Sequence, residues 1–152
     1  MTEALALADR ILLLSSGRIE QEGTPEAIYG APDTLFCAEF MGNNNRFPGK
    51  VAEIRGELAK VEGDGWTLWG RLRARRAPGD PVTAVIRVEK TRISERAGEH
   101  TLPAVLETAM FLGEQWECLF RVGSLRIRVW AHEAPARKPS HLHFPPEVVW
   151  VF

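Results

Sequence analysis

Trp116-Glu117-Cys118-Leu119-Phe120-Arg121-Val122-Gly123-Ser124-Leu125-Arg126-Ile127-Arg128-Val129-Trp130-Ala131 consists of two alternating runs on either side of Gly123-Ser124. A two-residue loop with glycine first suits a type II′ turn, whose twist matches the strands it joins. The turn sets Val122 against Leu125, and the pairing then runs out to Trp116 with Ala131. Paired residues share a face, so one face collects Trp116, Cys118, Phe120, Val122, Leu125, Ile127, Val129 and Ala131. The other face is mixed: Glu117, Leu119, Arg121, Arg126, Arg128 and Trp130. A one-residue slip would turn the whole apolar set toward water, which fixes the register. Cys118 is then a core thiol, inert by location. Arg121 and Arg126 oppose each other, and a carboxylate such as Glu117 is expected to relieve them.

Outward from this hairpin, strand-length segments recur at the spacing of a barrel or sandwich. They are Lys50–Arg55, Glu57–Glu62, Trp66–Leu72, Val82–Val88, Ala104–Leu112, Glu114–Val122, Leu125–Ala131 and Val148–Phe152. Gly63-Asp64-Gly65, Pro78-Gly79-Asp80-Pro81, Gly98 and Gly113 separate them.

Upstream of Phe47 the character changes. Residues 1–46 hold 3 Lys/Arg against 7 Asp/Glu, whereas residues 47–152 hold 16 against 13 and all five tryptophans. The joint is Gly42-Asn43-Asn44-Asn45, a candidate boundary between a piece 1–46 and a piece 47–152. In the first piece a helix is expected over Glu3 to Ala8. Ile11-Leu12-Leu13-Leu14 is apolar without alternation, as in a strand covered on both faces. Thr24 and Pro25 open a short helix, and Thr34 to Met41 forms another that should bury Leu35, Phe36, Phe40 and Met41 before stopping at Gly42. Forty-six residues cannot supply both layers for such a strand. The piece reads as the tail of a larger α/β domain.

The composition of the 152 residues is that of a globular protein, with 45% hydrophobic and 26% charged residues and a net charge of −1. Disordered and collagen-like chains are thereby excluded. No apolar run approaches the roughly 18 residues of a membrane span. Cys37 and Cys118 are too few for a disulfide framework and lack zinc-ligand spacing.

The stretch TEALALADRILLLSSGRIEQEGTPEAIYGAPDTLFCAEFMG (residues 2–42) resembles the end of the nucleotide-binding domain of ABC importer ATPases. PGDPVTAVIRVEKTRIS (78–94), LPAVLETAMFLGEQWECLFRVGSLRIRVWA (102–131) and LHFPPEVVWVF (142–152) resemble the transport-associated OB (TOBE) domain that follows it in those subunits. The resemblance implies a mainly β chain, an OB-like antiparallel barrel preceded by a short α/β remnant. By the family pattern the switch histidine and the ATP-hydrolysis motifs lie before this segment, and no GxxxxGK[ST] occurs in the chain. Cofactors are therefore none in this chain, with ATP and Mg belonging to the upstream part of the parent. The resemblance further implies a regulatory role without catalytic residues and a homodimer through the C-terminal domain. It implies permease subunits as partners of the parent, and a cytoplasmic location peripheral to the inner membrane without membrane insertion. Ile86-Arg87-Val88-Glu89 departs from the family's I-R-P-E by a valine.

Trp116, Arg126, Arg128, Trp130 and Trp150 are the residues expected at an interface or regulatory surface, with Phe120 and Ile127 as core. Arg71-Leu72-Arg73-Ala74-Arg75-Arg76, near Trp66 and Trp69, has the residue types of a single-strand-binding groove. A net balance of +3 is too mild for such a stripe, so a solvated face with inward aromatics is the expectation and no nucleic acid is expected as partner. The alternatives are an OB module for single-stranded nucleic acid or a small-ligand or oxyanion sensor. His141 and His143 share a strand face, but a metal site needs at least a third ligand, so none is assigned.

Overall fold

The computed structural model describes residues 6–136 and 138–152. Of the helix expected over Glu3 to Ala8, Glu3, Ala4 and Leu5 lie outside the described residues, while Ala6 and Leu7 are helical. The chain divides into two compact units, Met1–Asn44 and Asn45–Phe152.

In the first unit, β1 (Ile11–Ser15) pairs antiparallel with β2 (Arg18–Gly23). Their two loop residues, Ser16 and Gly17, both have positive φ, the pattern of a type I′ turn. Thr24 opens α1 (Pro25–Gly30) by accepting a hydrogen bond from the Ala27 amide at 3.2 Å. Thr34 opens α2 (Leu35–Met41) in the same way, accepting from the Cys37 amide at 3.2 Å. Helix α2 buries Cys37, Ala38 and Met41, while Phe36 and Phe40 stay exposed, contrary to expectation. The buried side is the i, i+1, i+4 stripe of a two-turn helix, and Phe36 and Phe40 lie off it. Gly42 follows with φ 179, extended rather than left-handed. Leu13, Ile28, Cys37 and Met41 form the small core. Leu12, Leu14 and Ile19 point away from it and are 54%, 62% and 59% exposed.

The second unit has two β layers. β3 (Asn44–Arg55), β4 (Leu58–Gly63), β5 (Trp66–Leu72), β6 (Pro81–Arg87) and β12 (Val149–Val151) close into a five-stranded barrel in the order β12-β5-β4-β3-β6. β12 runs antiparallel to β6 and parallel to β5, the one parallel contact among the described strand pairs. That contact needs a Cβ-free strand: a Cβ on Gly70 would lie 2.6 Å from Val149 Cγ1. β7 (Arg92–Ser94), β8 (Thr101–Phe111), β9 (Trp116–Val122), β10 (Leu125–Ala131) and β11 (Ser140–His143) form an antiparallel sheet ordered β10-β9-β8-β11-β7. The short β7 and β11 fall outside the expected strands, since three and four residues carry too little alternation to be read.

Barrel and sheet share one core. Phe47 sits at its centre, edge-on to Trp66 and to Phe144, each with centroids 5.2 Å apart. Where the layers meet, the β4–β5 loop touches the β9–β10 turn, and the Ser124 amide donates to the Asp64 carbonyl at 3.3 Å. A Cβ on Gly123 would lie 2.5 Å from that oxygen. Val88, the departure from the family pattern, opens a 3-10 turn and is fully buried.

Asn45 joins the layers through its side chain. It is 5% exposed, its Oδ1 accepts from the Arg128 amide at 2.9 Å, and its Nδ2 donates to the Arg128 carbonyl at 2.7 Å. Nδ2 also donates to Thr91 Oγ1 at 3.2 Å. Strand β10 is a sheet edge, and the Asn45 amide takes the place of a neighbouring strand there.

Candidate interface surface

The hairpin β9–β10 has the register read from its residues, from Val122 with Leu125 to Trp116 with Ala131. Gly123 has φ 55 and Ser124 is not among the positive-φ residues, in keeping with a type II′ turn. The inward face is core. Burial, and after it the neighbouring charge of Glu117, raises the pKa of the Cys118 thiol above its ordinary value.

The outward face is ordered by two carboxylates. Glu117 Oε1 accepts from Trp130 Nε1 at 3.0 Å and lies 3.6 Å from Arg128 Nη1. Arg126 is met instead by Glu107, whose Oε1 accepts from Arg126 Nε at 3.2 Å. Glu107 occupies a register shift in β8, where Leu106 pairs with Phe120 and Thr108 with Leu119. The extra residue of such a bulge redirects a side chain. Glu117, expected to relieve Arg121 and Arg126, serves Arg128 and Trp130 instead, and Arg126 uses a carboxylate from β8 that the hairpin alone could not reveal.

The expected surface residues are not all brought together. Arg126, Arg128 and Trp130 share the outward face. Trp116 is half-buried on the other face, its ring 5.2 Å from that of Phe111. Trp150 is 6% exposed in the barrel, with the buried Arg87 guanidinium 5.0 Å from its ring centre. Near Trp116, the β8–β9 end presents Met110, Phe111 and Leu112, each at least half exposed. This apolar lip was missed by sequence reasoning; its signal was the run Ala109 to Leu112 continuing to the breaker Gly113. Beside Trp130, a recess of about 530 Å³ is lined by Phe120, Val129, Glu89, Glu95 and Glu133.

The other constellations are dispersed. Trp66 is buried under Phe47, and Trp69 has Arg55 stacked 5.1 Å above it, so neither indole is a bare platform beside Arg71–Arg76. Among the described residues, no three His, Cys, Asp or Glu side chains gather as metal ligands, and no helix is long and apolar enough to cross a membrane.

Curated relatives match most of the chain. The spermidine/putrescine import ATP-binding protein of Rubrobacter xylanophilus is 33% identical over 98% of this chain, and that of Fusobacterium nucleatum 39% identical over 74%. A ferric-ion import ATP-binding protein of Rhizobium meliloti is 37% identical over 75% of it. The chain is homologous to the C-terminal part of ABC importer ATP-binding subunits. It spans 30 to 40% of the length of these relatives. Among solved structures, the cytoplasmic molybdate-binding protein ModG covers 70% of this chain with a TM-score of 0.59 and 15% identity, which shows a common OB/TOBE-like fold. No protein-family model matches.

Proposed function

We propose that the chain is the C-terminal regulatory and dimerisation region of an ABC importer ATP-binding subunit and hydrolyses no ATP by itself. The observation that carries the reading is the match of 98% of the chain to an importer ATP-binding subunit, a match that takes in both the small α/β unit and the closed TOBE-like barrel. ATP and Mg are held by upstream parts of the parent. The TOBE domains of two subunits meet and keep the ATPase pair together, while permease subunits bind the parent at the cytoplasmic face of the inner membrane. The relatives serve polyamines and ferric iron. That spread suits a shared mechanical part whose solute is chosen by other subunits.

The test is competition. A tagged chain supplied in excess should co-purify with the full-length subunit as a mixed dimer and lower solute-stimulated ATP hydrolysis. Recovery of the tagged chain free of full-length subunit would sink the proposal.

A further inference from the structure

Strand β8 pairs with β9 along one edge, from Val105 to Phe111. Along its other edge β11 covers only Thr101 to Ala104, and no described strand follows beyond Ala104. The β9–β10 turn decides which backbone groups this leaves open. A two-residue turn makes Val122 and Leu125 a hydrogen-bonded pair, and such pairs alternate along antiparallel strands. Trp116, Cys118, Phe120 and Val122 therefore bond to β10, whereas Glu117, Leu119 and Arg121 bond to β8. Opposite the latter stand Met110, Thr108 and Val105. Leu106, Ala109 and Phe111 turn their N–H and C=O groups to the uncovered edge, and none has a hydrogen bond there among the described residues.

An open edge is a template for another strand. The side chains along this one are apolar: Val105, Met110, Phe111 and Leu112 are exposed. Phe111 is 61% exposed although it stands opposite Trp116 on the core face of the sheet. The edge is also its own complement. Glu107 is the extra residue of the bulge, so Leu106 and Phe111 each lie two ladder steps from Ala109. Turned about a two-fold axis at Ala109, a second copy of β8 sets Ala109 against Ala109, Leu106 against Phe111 and Met110 against Thr108. Every open backbone group then has a partner, and Leu106 and Phe111 meet on one face. The incoming strand ends at its Gly113, where β11 begins with Ser140 opposite Ala104. That end faces a recess of about 330 Å³ lined by Val105, Leu106, Ala109, Lys138 and Pro139. Lys138 and Glu114 are both exposed and have no ion pair among the described residues. The register sets Glu114 of each copy beside Lys138 of the other.

We propose that two copies of the chain join β8 to β8 in antiparallel register about Ala109, making one continuous sheet across the pair. This rests on the dimerisation reading and names its seam. The exposed side chains of Val105, Met110, Phe111 and Leu112 offer on the order of 400 Å² per copy, about half of the roughly 800 Å² per partner in a standard interface. The strand edge and the contacts of Glu114 with Lys138 add to it. The same register gives the outward face a part. One row runs Trp130, Glu117 and Met110, then Thr108, Leu119 and Arg128 of the second copy. Within each copy Trp130 Nε1 and Arg128 Nη1 hold the Glu117 carboxylate at 3.0 and 3.6 Å. Without them a bare carboxylate stands beside Met110 at the seam. Arg128 and Trp130 are thus positioning residues that act through Glu117.

Sedimentation equilibrium of the whole chain, with amide hydrogen exchange at low and high concentration, tests it. Exchange at Leu106, Ala109 and Phe111 should slow at least about tenfold as the pair forms, while the Ile93 amide on the outer edge of β7 should not change. Ala109→Pro removes an amide without a partner inside the chain. It should weaken dimerisation at least about tenfold and leave the tryptophan unfolding transition in place. Glu114→Lys or Lys138→Glu alone should weaken dimerisation about threefold, and the two together should restore it. A dimer with unaltered exchange at the three amides overturns the β8 seam and leaves the dimerisation reading standing. So does a dimer that the charge swap neither weakens nor restores, or one that a folded Ala109→Pro chain keeps at full strength. A chain monomeric at every concentration overturns both.

Discussion

The two units handle the same problem, apolar strands with two faces, in opposite ways. The second unit closes its strands into a barrel, lays a sheet on it, and leaves Phe47, Val61, Ile86 and Val149 fully buried. The first has a two-stranded hairpin with Leu13 inward and Leu12, Leu14 and Ile19 more than half exposed. A lone hairpin is marginal in water, and apolar residues on an uncovered face call for a partner layer. The difference separates a unit whose apolar faces are closed into one core from a unit whose hairpin keeps one apolar face open among the described residues.

The largest effect should separate the units. Every tryptophan lies in the second, so indole fluorescence during urea unfolding reports on that unit. Phe47→Ala removes the ring between Trp66 and Phe144 and should destabilise the fluorescence transition by about 3–5 kcal/mol. Ile28→Ala, in the separate small core, should leave that transition within about 0.5 kcal/mol. An equal shift from both would break the comparison.

Asn45→Ala is next. It leaves the Arg128 amide and carbonyl without their side-chain partner at a buried edge, costing about 1–3 kcal/mol in the same measurement. A loss no larger than that of an exposed surface substitution would mean water replaces the amide freely. Glu107→Gln should cost less than about 1 kcal/mol, since Arg126 is well exposed and such pairs are weak.

The smallest effect concerns pH. With the Cys118 thiol raised in the folded state, the fold favours its protonated form. This contribution is fully present below the ordinary thiol value, about 8.5, and fades as pH rises through the folded value. The urea midpoint should therefore fall more steeply in alkali for the native chain than for Cys118→Ala, and identical slopes would remove Cys118 from the account.

Legibility followed the same divide. The β9–β10 register was readable because alternation and a two-residue turn specify it twice. Trp150 was assigned to a surface, yet the run Val148 to Phe152 does not alternate, which is the mark of a strand buried on both faces. The Glu107 bulge, the parallel contact of β5 with β12 and the Asn45 bridge depend on pairings between distant segments, and no local pattern encodes them. Asn45 in particular read as part of a linker because its four-residue neighbourhood has loop composition.

Sedimentation of the chain at tens of micromolar, with and without Leu12→Glu and Leu14→Glu, tests the central claim most directly. The account predicts a dimer that persists when the two leucines are replaced and is weakened by Arg128→Glu with Trp130→Ala. A strictly monomeric chain, or a dimer lost on replacing the leucines alone, would contradict a TOBE-mediated association.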